Sequence, residues 1–224
     1  MRALMYHKIG DGRYGISEEL FWDHCKMISN YNDKEVLLTF DDGHPSIMKA
    51  AEILDQTHLK ALFFVITSKI GDSDHVTKEE IKDLLERGHR IGSHGHTHRF
   101  FNELSRKELK EELMNSSQVL IEMGQKNVVD ISLPGGRFNR DVLDCLAESS
   151  FKQVWSSEPS FQFTQMPLWR RGRDCILYNM KTEYVKDLLD GKMDKWRQWR
   201  YKILCGFKKI VGDNLYHRMT VKDE

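Results

Sequence analysis

Three short clusters in this 224-residue chain carry side chains that could do chemistry. They are Asp41-Asp42-Gly43, His94-Gly95-His96-Thr97-His98 and Pro134-Gly135-Gly136-Arg137. Two adjacent carboxylates repel each other unless a cation or hydrogen bonds compensate. Neighbouring residues on an extended chain point opposite ways, so one carboxylate can bind a metal while the other, slightly offset, faces the water on it. Alone, the pair could equally form a turn or cap a helix beginning at Pro45. Three histidines in five residues favour the metal. His94 and His98, four apart, put both rings on one face if the loop curls into a helical turn. With one carboxylate they make a facial site that keeps positions open for water and substrate. His96 would then point away, to solvent or to a place behind the ligands. The Gly135-Gly136 pair exposes backbone N–H groups and lets a substrate approach closely. That suits an oxyanion hole, where one donor contributes about 3 kcal/mol to the transition state; a plain strand-to-helix turn would use the same residues.

Each cluster follows an apolar run with the look of a strand. Short apolar runs predict strands at Ala3–Tyr6, Val36–Phe40, Ala61–Thr67, Arg90–Ser93, Val128–Leu133, Phe151–Trp155 and near Cys175–Tyr178. Ala61–Thr67 is almost continuously apolar, as a strand buried on both faces should be. Helices are predicted at Ser17–Ser29 with Ser17 as N-cap, Pro45–Thr57, Thr77–Arg87 with a Thr77/Glu80 capping box, Ser105–Met123, Asn139–Ser149 and Thr182–Leu189. Strands alternating with helices argue for an α/β fold on a parallel sheet, open or closed into a barrel. In such folds the C-terminal ends of the strands converge on the active site. The three clusters sit at those ends.

These residues resemble the polysaccharide deacetylase family, carbohydrate esterase family four. Thr39-Phe40-Asp41-Asp42-Gly43 matches its first motif, His94-Gly95-His96-Thr97-His98 is similar to its second, and Leu133-Pro134-Gly135-Gly136 to a loose form of its third. Met5-Tyr6-His7 resembles the opening of members from exopolysaccharide pathways. The likeness implies a distorted (β/α) barrel of seven parallel strands over 1–190, removing acetyl from N-acetylated sugars in surface-glycan synthesis. Carried over, Asp41 is the general base, and Asp42, His94 and His98 hold a divalent ion, zinc first, with cobalt, nickel or manganese as substitutes. The Gly135 N–H faces the oxyanion, and Gly43, His44, Pro134, Gly136, Arg137 and His7 line the substrate.

Two departures from the family pattern stand out. Ser132 occupies the place of an arginine that orients the base, and Arg171, or Arg170 beside it, is expected to substitute, with Arg137 a weaker choice. A late histidine that supplies the catalytic acid should fall near Ile176–Asn179, where there is none; His7 and His44 lie at strand ends that could provide it. An O-acetyl ester would need that acid less than an amide does. Three alternatives therefore stay open: an O-acetyl esterase, an amidohydrolase-like enzyme using His94 and His96 as a pair, and a degenerate glycan-binding or scaffolding protein.

Bulk composition limits the partners. Lys plus Arg (34) equals Asp plus Glu (34), so nothing draws the whole chain to nucleic acid. The four cysteines are scattered without metal-type spacing and read as free thiols. The opening residues lack the apolar run of a secretory signal, and cytoplasmic is the expectation. The stretch 191–224 reads as a basic extension. Lys192, Lys195, Arg197, Arg200, Lys202, Lys208 and Lys209 face a single acid, Asp194, and Trp196, Trp199, Ile203, Phe207 and Ile210 recur at helical steps. Either this amphipathic helix packs its stripe on the barrel, or it lies on an anionic membrane surface, the inner face if the chain is cytoplasmic.

Overall fold

The structure is a computed structural model and describes residues 2–31, 35–125, 127–159, 163–165 and 169–211. Its elements run β1 (Arg2–Tyr6), β2 (Lys8–Ile9), β3 (Gly15–Ile16), α1 (Glu18–Ser29), β4 (Val36–Phe40), α2 (Ile47–Gln56), β5 (Ala61–Val65), α3 (Lys78–Glu86), β6 (Arg90–Ser93) and α4 (Arg106–Glu122). Then follow β7 (Asp130–Ser132), α5 (Arg140–Ala147), β8 (Gln153–Trp155), β9 (Phe163–Gln165), β10 (Trp169–Arg171), β11 (Asp174–Cys175), α6 (Thr182–Leu189) and α7 (Asp194–Val211). The chain divides into two compact units, Met1–Val185 and Lys186–Glu224, where the sequence suggested 1–190 and 191–224.

One sheet organises the first unit, in the order β11-β1-β4-β5-β6-β7-β8-β10-β9. Eight of its strands run parallel and curl as a distorted (β/α) barrel does; β9 alone pairs antiparallel, on β10. The eighth parallel strand is β10, Trp-Arg-Arg, whose charged sequence gives no apolar run to read. β11 starts one residue before the expected strand, because Asp174 is buried and pairs with Leu4 on β1. β2 and β3 form a separate two-stranded ladder, also unread in the sequence.

Local chemistry accounts for the helix ends. Ser17, Thr77, Ser105 and Asn139 each accept a backbone N–H with the side chain, satisfying donors that the first helical turn leaves open. Thr77/Glu80 and Ser105/Glu108 are reciprocal capping boxes. Inside, β1 and β5 are buried along their whole length. A line of rings, Phe21, Tyr6, Phe40, Phe63 and His89, crosses α1, β1, β4 and β5 at centroid spacings of 5.2, 5.4, 5.1 and 5.4 Å. Burying each ring stabilises the fold by roughly 1.5–3 kcal/mol and fixes the strand ends that carry the polar clusters. Trp155, fully buried, donates its indole N–H to Asp130 at 2.8 Å, which anchors β8 to β7. Among the described cysteines, Cys25, Cys145 and Cys175 are free.

Candidate metal centre

The ends of β1, β4, β6 and β7, near neighbours in the sheet, deliver the polar residues to one place. On β4, side chains alternate, so Thr39 and Asp41 share a face while Phe40 packs in the ring line on the other. Asp42 has the parity of Phe40, but its left-handed backbone (φ 74°) turns it back toward His94.

Asp41, 3% exposed, is gripped by a bidentate fork. Arg173 Nη1 donates to Oδ1 at 2.6 Å and Nη2 to Oδ2 at 2.8 Å. The Ser132 hydroxyl donates to Oδ2 at 3.0 Å and accepts from Arg173 Nη2 at 2.7 Å. Arg173 is itself fully buried. Its Nη1 also reaches Thr39 Oγ1 at 3.2 Å, its Nε reaches the Ser156 carbonyl at 3.3 Å, and its guanidinium lies 5.2 Å from the Phe64 ring centre. Burial opposes the charge on Asp41, yet Arg173 first, and His94 after it, outweigh burial and hold the carboxyl below its ordinary range.

This corrects the expected arginine. Arg171 lies over the Trp155 ring at 5.5 Å and Arg170 pairs with Glu158 at 3.0 Å, because β10 pairs in register with β8 and sets both against that strand's surroundings. Gly172 then passes so near the Glu158 and Pro159 carbonyls that a Cβ would sit 2.4 and 2.5 Å from them. The next residue, Arg173, enters the site. Ser132, noted as the departure from the arginine pattern, works together with it. The sequence signal was there in part: an arginine was needed, and three candidates lie in four residues, but burial decides among them.

Asp42, His94 and His98 each offer a donor atom, all within 4.8 Å of one another. Asp42 Oδ1 lies 3.3 Å from His94 Nε2 and 3.5 Å from His98 Nε2. Ligands at about 2.0–2.1 Å around one tetrahedral ion stand about that far apart. His94 Nδ1 lies 3.0 Å from the Ser132 carbonyl, so Nδ1 carries a proton and Nε2, 3.3 Å from Asp42, is the ring atom left for a cation. Burial of His94 is outweighed by Asp41 and Asp42, which raise its pKa and hold a proton on Nε2 that a bound cation would displace. Burial lowers the His98 pKa to about 4, with His94 adding to the effect, and keeps its imidazole neutral. On Asp42, burial is again outweighed, chiefly by His94, and the carboxyl is held well below its usual range. The residues therefore fit a divalent cation. Asp72, Asp74 and His75 form a second group of close donors, but both carboxylates are exposed and His75 Nδ1 is taken by Asp74 at 2.8 Å.

The histidine loop is a bend, not the helical turn the i, i+4 spacing suggested. His94 and His98 still meet, with ring centres 4.8 Å apart, because His98 adopts a left-handed backbone (φ 66°). Among the described residues, two of the three non-glycine positions with positive φ thus belong to this donor group, and each such conformation costs about 1–3 kcal/mol. Glu112 on α4, buried and unforeseen, holds the bend. Its Oε2 accepts from the backbone N–H groups of His96 and Thr97 at 2.8 and 3.0 Å, and its Oε1 from the Thr97 hydroxyl. His96 turns away from the donors, 3.0 Å from Thr67 Oγ1.

The remaining predicted residues divide by place. His7, after β1, packs on Tyr14 at 4.8 Å, and its buried Nδ1 has no partner among the described residues. Burial lowers its pKa, and Asp41, Asp42, Arg173 and His94 are near enough to act on it electrostatically. His44 has its Nδ1 tied to Ser46, 2.9 Å from the hydroxyl. Gly43 forms a turn (φ 81°) whose N–H donates to the Asp41 carbonyl and whose carbonyl accepts from Val76. Pro134 is buried, and Gly135 and Gly136 both take left-handed conformations. A Cβ on Gly135 would lie 2.7 Å from the Phe100 ring. Arg137 is engaged elsewhere: it lies 3.7 Å over that same ring and pairs with Glu103 at 2.9 Å.

Comparison with known proteins identifies the family. A family model described as polysaccharide deacetylase matches residues 29–154. The Bacillus subtilis protein YxkH is 27% identical over 178 residues, 70% of this chain and 64% of its own. A peptidoglycan-N-acetylglucosamine deacetylase of Bacillus cereus is 27% identical over 134 residues, 57% of this chain and 60% of its own. The chain thus spans less than two thirds of the length of these curated relatives. Among solved structures, Streptococcus pyogenes deacetylase PplD superposes with a TM-score of 0.74 at 22% identity, over 84% of this chain and 97% of that one. IcaB from Ammonifex degensii gives 0.72 at 19%, over 84% and 95%. At such identities the structures speak for the fold, while the family model covers more than half the sequence and includes both the Asp41-Asp42 and the His94–His98 clusters. By fold, motif and match, this chain belongs to the polysaccharide deacetylase family.

Proposed function

We propose that the protein is a divalent-metal hydrolase that removes acetyl from an N-acetylated sugar, within a glycan or a lipid- or nucleotide-linked precursor of surface polysaccharide. The observation that carries this reading is Asp41, fixed as a carboxylate by Arg173 and Ser132 beside the three converging donors Asp42, His94 and His98. An ion held there, zinc by the nature of the donors, would polarise the acetyl carbonyl and lower the pKa of a water toward about 7.

The chain's own residues supply the rest. Asp41, kept ionised below its usual range, takes the proton from the attacking water, a contribution of about 10²–10⁴ in rate. Arg173 and Ser132 aim it and offset its charge. The Gly135 N–H is assigned to the developing oxyanion. His7 is assigned as the acid that protonates the leaving amine, acting as the imidazolium, a form that burial opposes and that the Asp41 and Asp42 carboxylates favour; its Nδ1 has no partner among the described residues, whereas the Nδ1 of His44 is occupied. The name of the Bacillus cereus relative specifies N-acetylglucosamine, which supports an N-acetylhexosamine substrate here.

The test is acetate release from N-acetylglucosamine oligomers, nucleotide-linked N-acetylhexosamines and O-acetylated sugars, each with and without a chelator. Chelator-sensitive release from an N-acetylated substrate is expected, and the His7→Ala variant should lose amide hydrolysis while keeping more of any ester hydrolysis. Acetate release from none of them, at any metal loading, would end the proposal.

A further inference from the structure

The α7 helix carries a surface that the deacetylase reading does not use. Along it, Asp194, Arg197, Tyr201 and Leu204 are half-buried and fall on one face by helical spacing. The opposite face holds Trp196, Trp199 and Ile203, which are 50%, 63% and 48% exposed. Two tryptophans and an isoleucine turned to solvent on one stripe are unusual for a surface without a partner. In the sequence, Phe207 and Ile210 continue the same spacing. Lys195 and Arg200, both exposed, flank the stripe on its two sides, and the Arg200 guanidinium stands 5.5 Å from the Trp196 ring centre.

We infer that α7 lies flat on an anionic lipid surface, with Trp196, Trp199 and Ile203 in the interfacial layer and Lys195 and Arg200 among the headgroups. Indole rings favour that layer because they pair an apolar body with an N–H donor. Long basic side chains beside such a stripe can bury their stems and keep their charge at the headgroups. Charge selects the occupant. Over Asp194–Val211 the helix has six basic residues and one acidic residue, so a second copy would bring like charge to like charge, whereas an anionic lipid surface is complementary. No helix among the described residues is long and apolar enough to cross a membrane, so the contact is one of lying on the surface.

The experiment is co-sedimentation of the full chain with phosphatidylcholine vesicles, with and without phosphatidylglycerol, at low and high salt, alongside tryptophan emission. The expected result is binding to the phosphatidylglycerol vesicles only, a blue shift of emission, and release by salt. Trp196→Ser with Trp199→Ser, and separately Lys195→Glu with Arg200→Glu, should each weaken binding about tenfold or more. The substituted positions are exposed, and circular dichroism would show that both variants keep the fold. Absence of binding to anionic vesicles overturns the inference, as does binding that both double variants retain. Sedimentation equilibrium showing a dimer that the tryptophan variant abolishes, with no vesicle binding, would make the stripe an interface between copies and overturn it as well.

Discussion

At the scale of single residues, the centre rests on a division between two neighbouring aspartates. Asp41 is enclosed by Arg173, Ser132 and the strand ends, while Asp42 swings to the histidines on a left-handed backbone. Arg173 touches no donor of the candidate metal group and acts through Asp41, as a positioning residue. Arg173→Lys keeps one positive charge but cannot form the fork. Asp41 would then be less stabilised as a carboxylate and its pKa would rise. In a pH profile of kcat/KM, the acidic limb should move to higher pH, with kcat reduced more than KM is raised. A residue with only a structural role would lower the amount of folded protein without moving that limb.

At the scale of elements, the supports matter as much as the ligands. Glu112 spans from α4 to the histidine bend and gives it three acceptor contacts. Glu112→Gln removes the negative charge that holds the backbone N–H groups and sets an NH2 against the Thr97 hydroxyl in place of an acceptor. Metal affinity, read by competition with a chromophoric chelator, should fall about 10–100-fold. His96→Ala, which alters the Thr67 side of the bend, should leave affinity within about tenfold of wild type. Elements with strong period and clear caps are legible in the sequence alone: the Thr77/Glu80 box, the apolar β5 and the strand ends bearing Asp41 and His94 all stand where the residue pattern puts them. What escaped has a common cause. β10 and β11 are polar strands, held by pairing and by a buried Arg173 and Asp174 rather than by apolar alternation. Glu112 looks like any charged residue of an amphipathic helix, and its burial depends on a loop sixteen residues away. The His94–His98 pair was found by spacing, but the bend that joins them depends on a strained backbone that spacing does not reveal.

At the scale of the whole molecule, stability should depend on two histidines far from the chemistry. His24 and His89 are buried, and burial pushes both pKa values down to about 4. The neutral tautomer of His89 is fixed where its Nδ1 accepts the Ala61 N–H at 3.3 Å, and His24 Nδ1 lies 3.1 Å from the Tyr6 hydroxyl. In the unfolded chain each titrates near about 6.5. Below that value the unfolded state binds protons that the folded state refuses, so the stabilisation is complete above about pH 6.5 and is lost as pH falls toward 4. The loss is on the order of 3 kcal/mol per histidine across that window. Denaturant unfolding at a series of pH values checks this, and His89→Gln should flatten the slope by about one proton.

The central claim, that three residues hold the ion and a fourth does the proton chemistry, is tested most directly by measuring metal content and acetate release together on Asp41→Asn. The expected result is one divalent ion per chain, bound as in the wild type, with acetate release lowered about 10²–10⁴-fold. Acetate release near the wild-type rate, or loss of the ion along with activity, would contradict it.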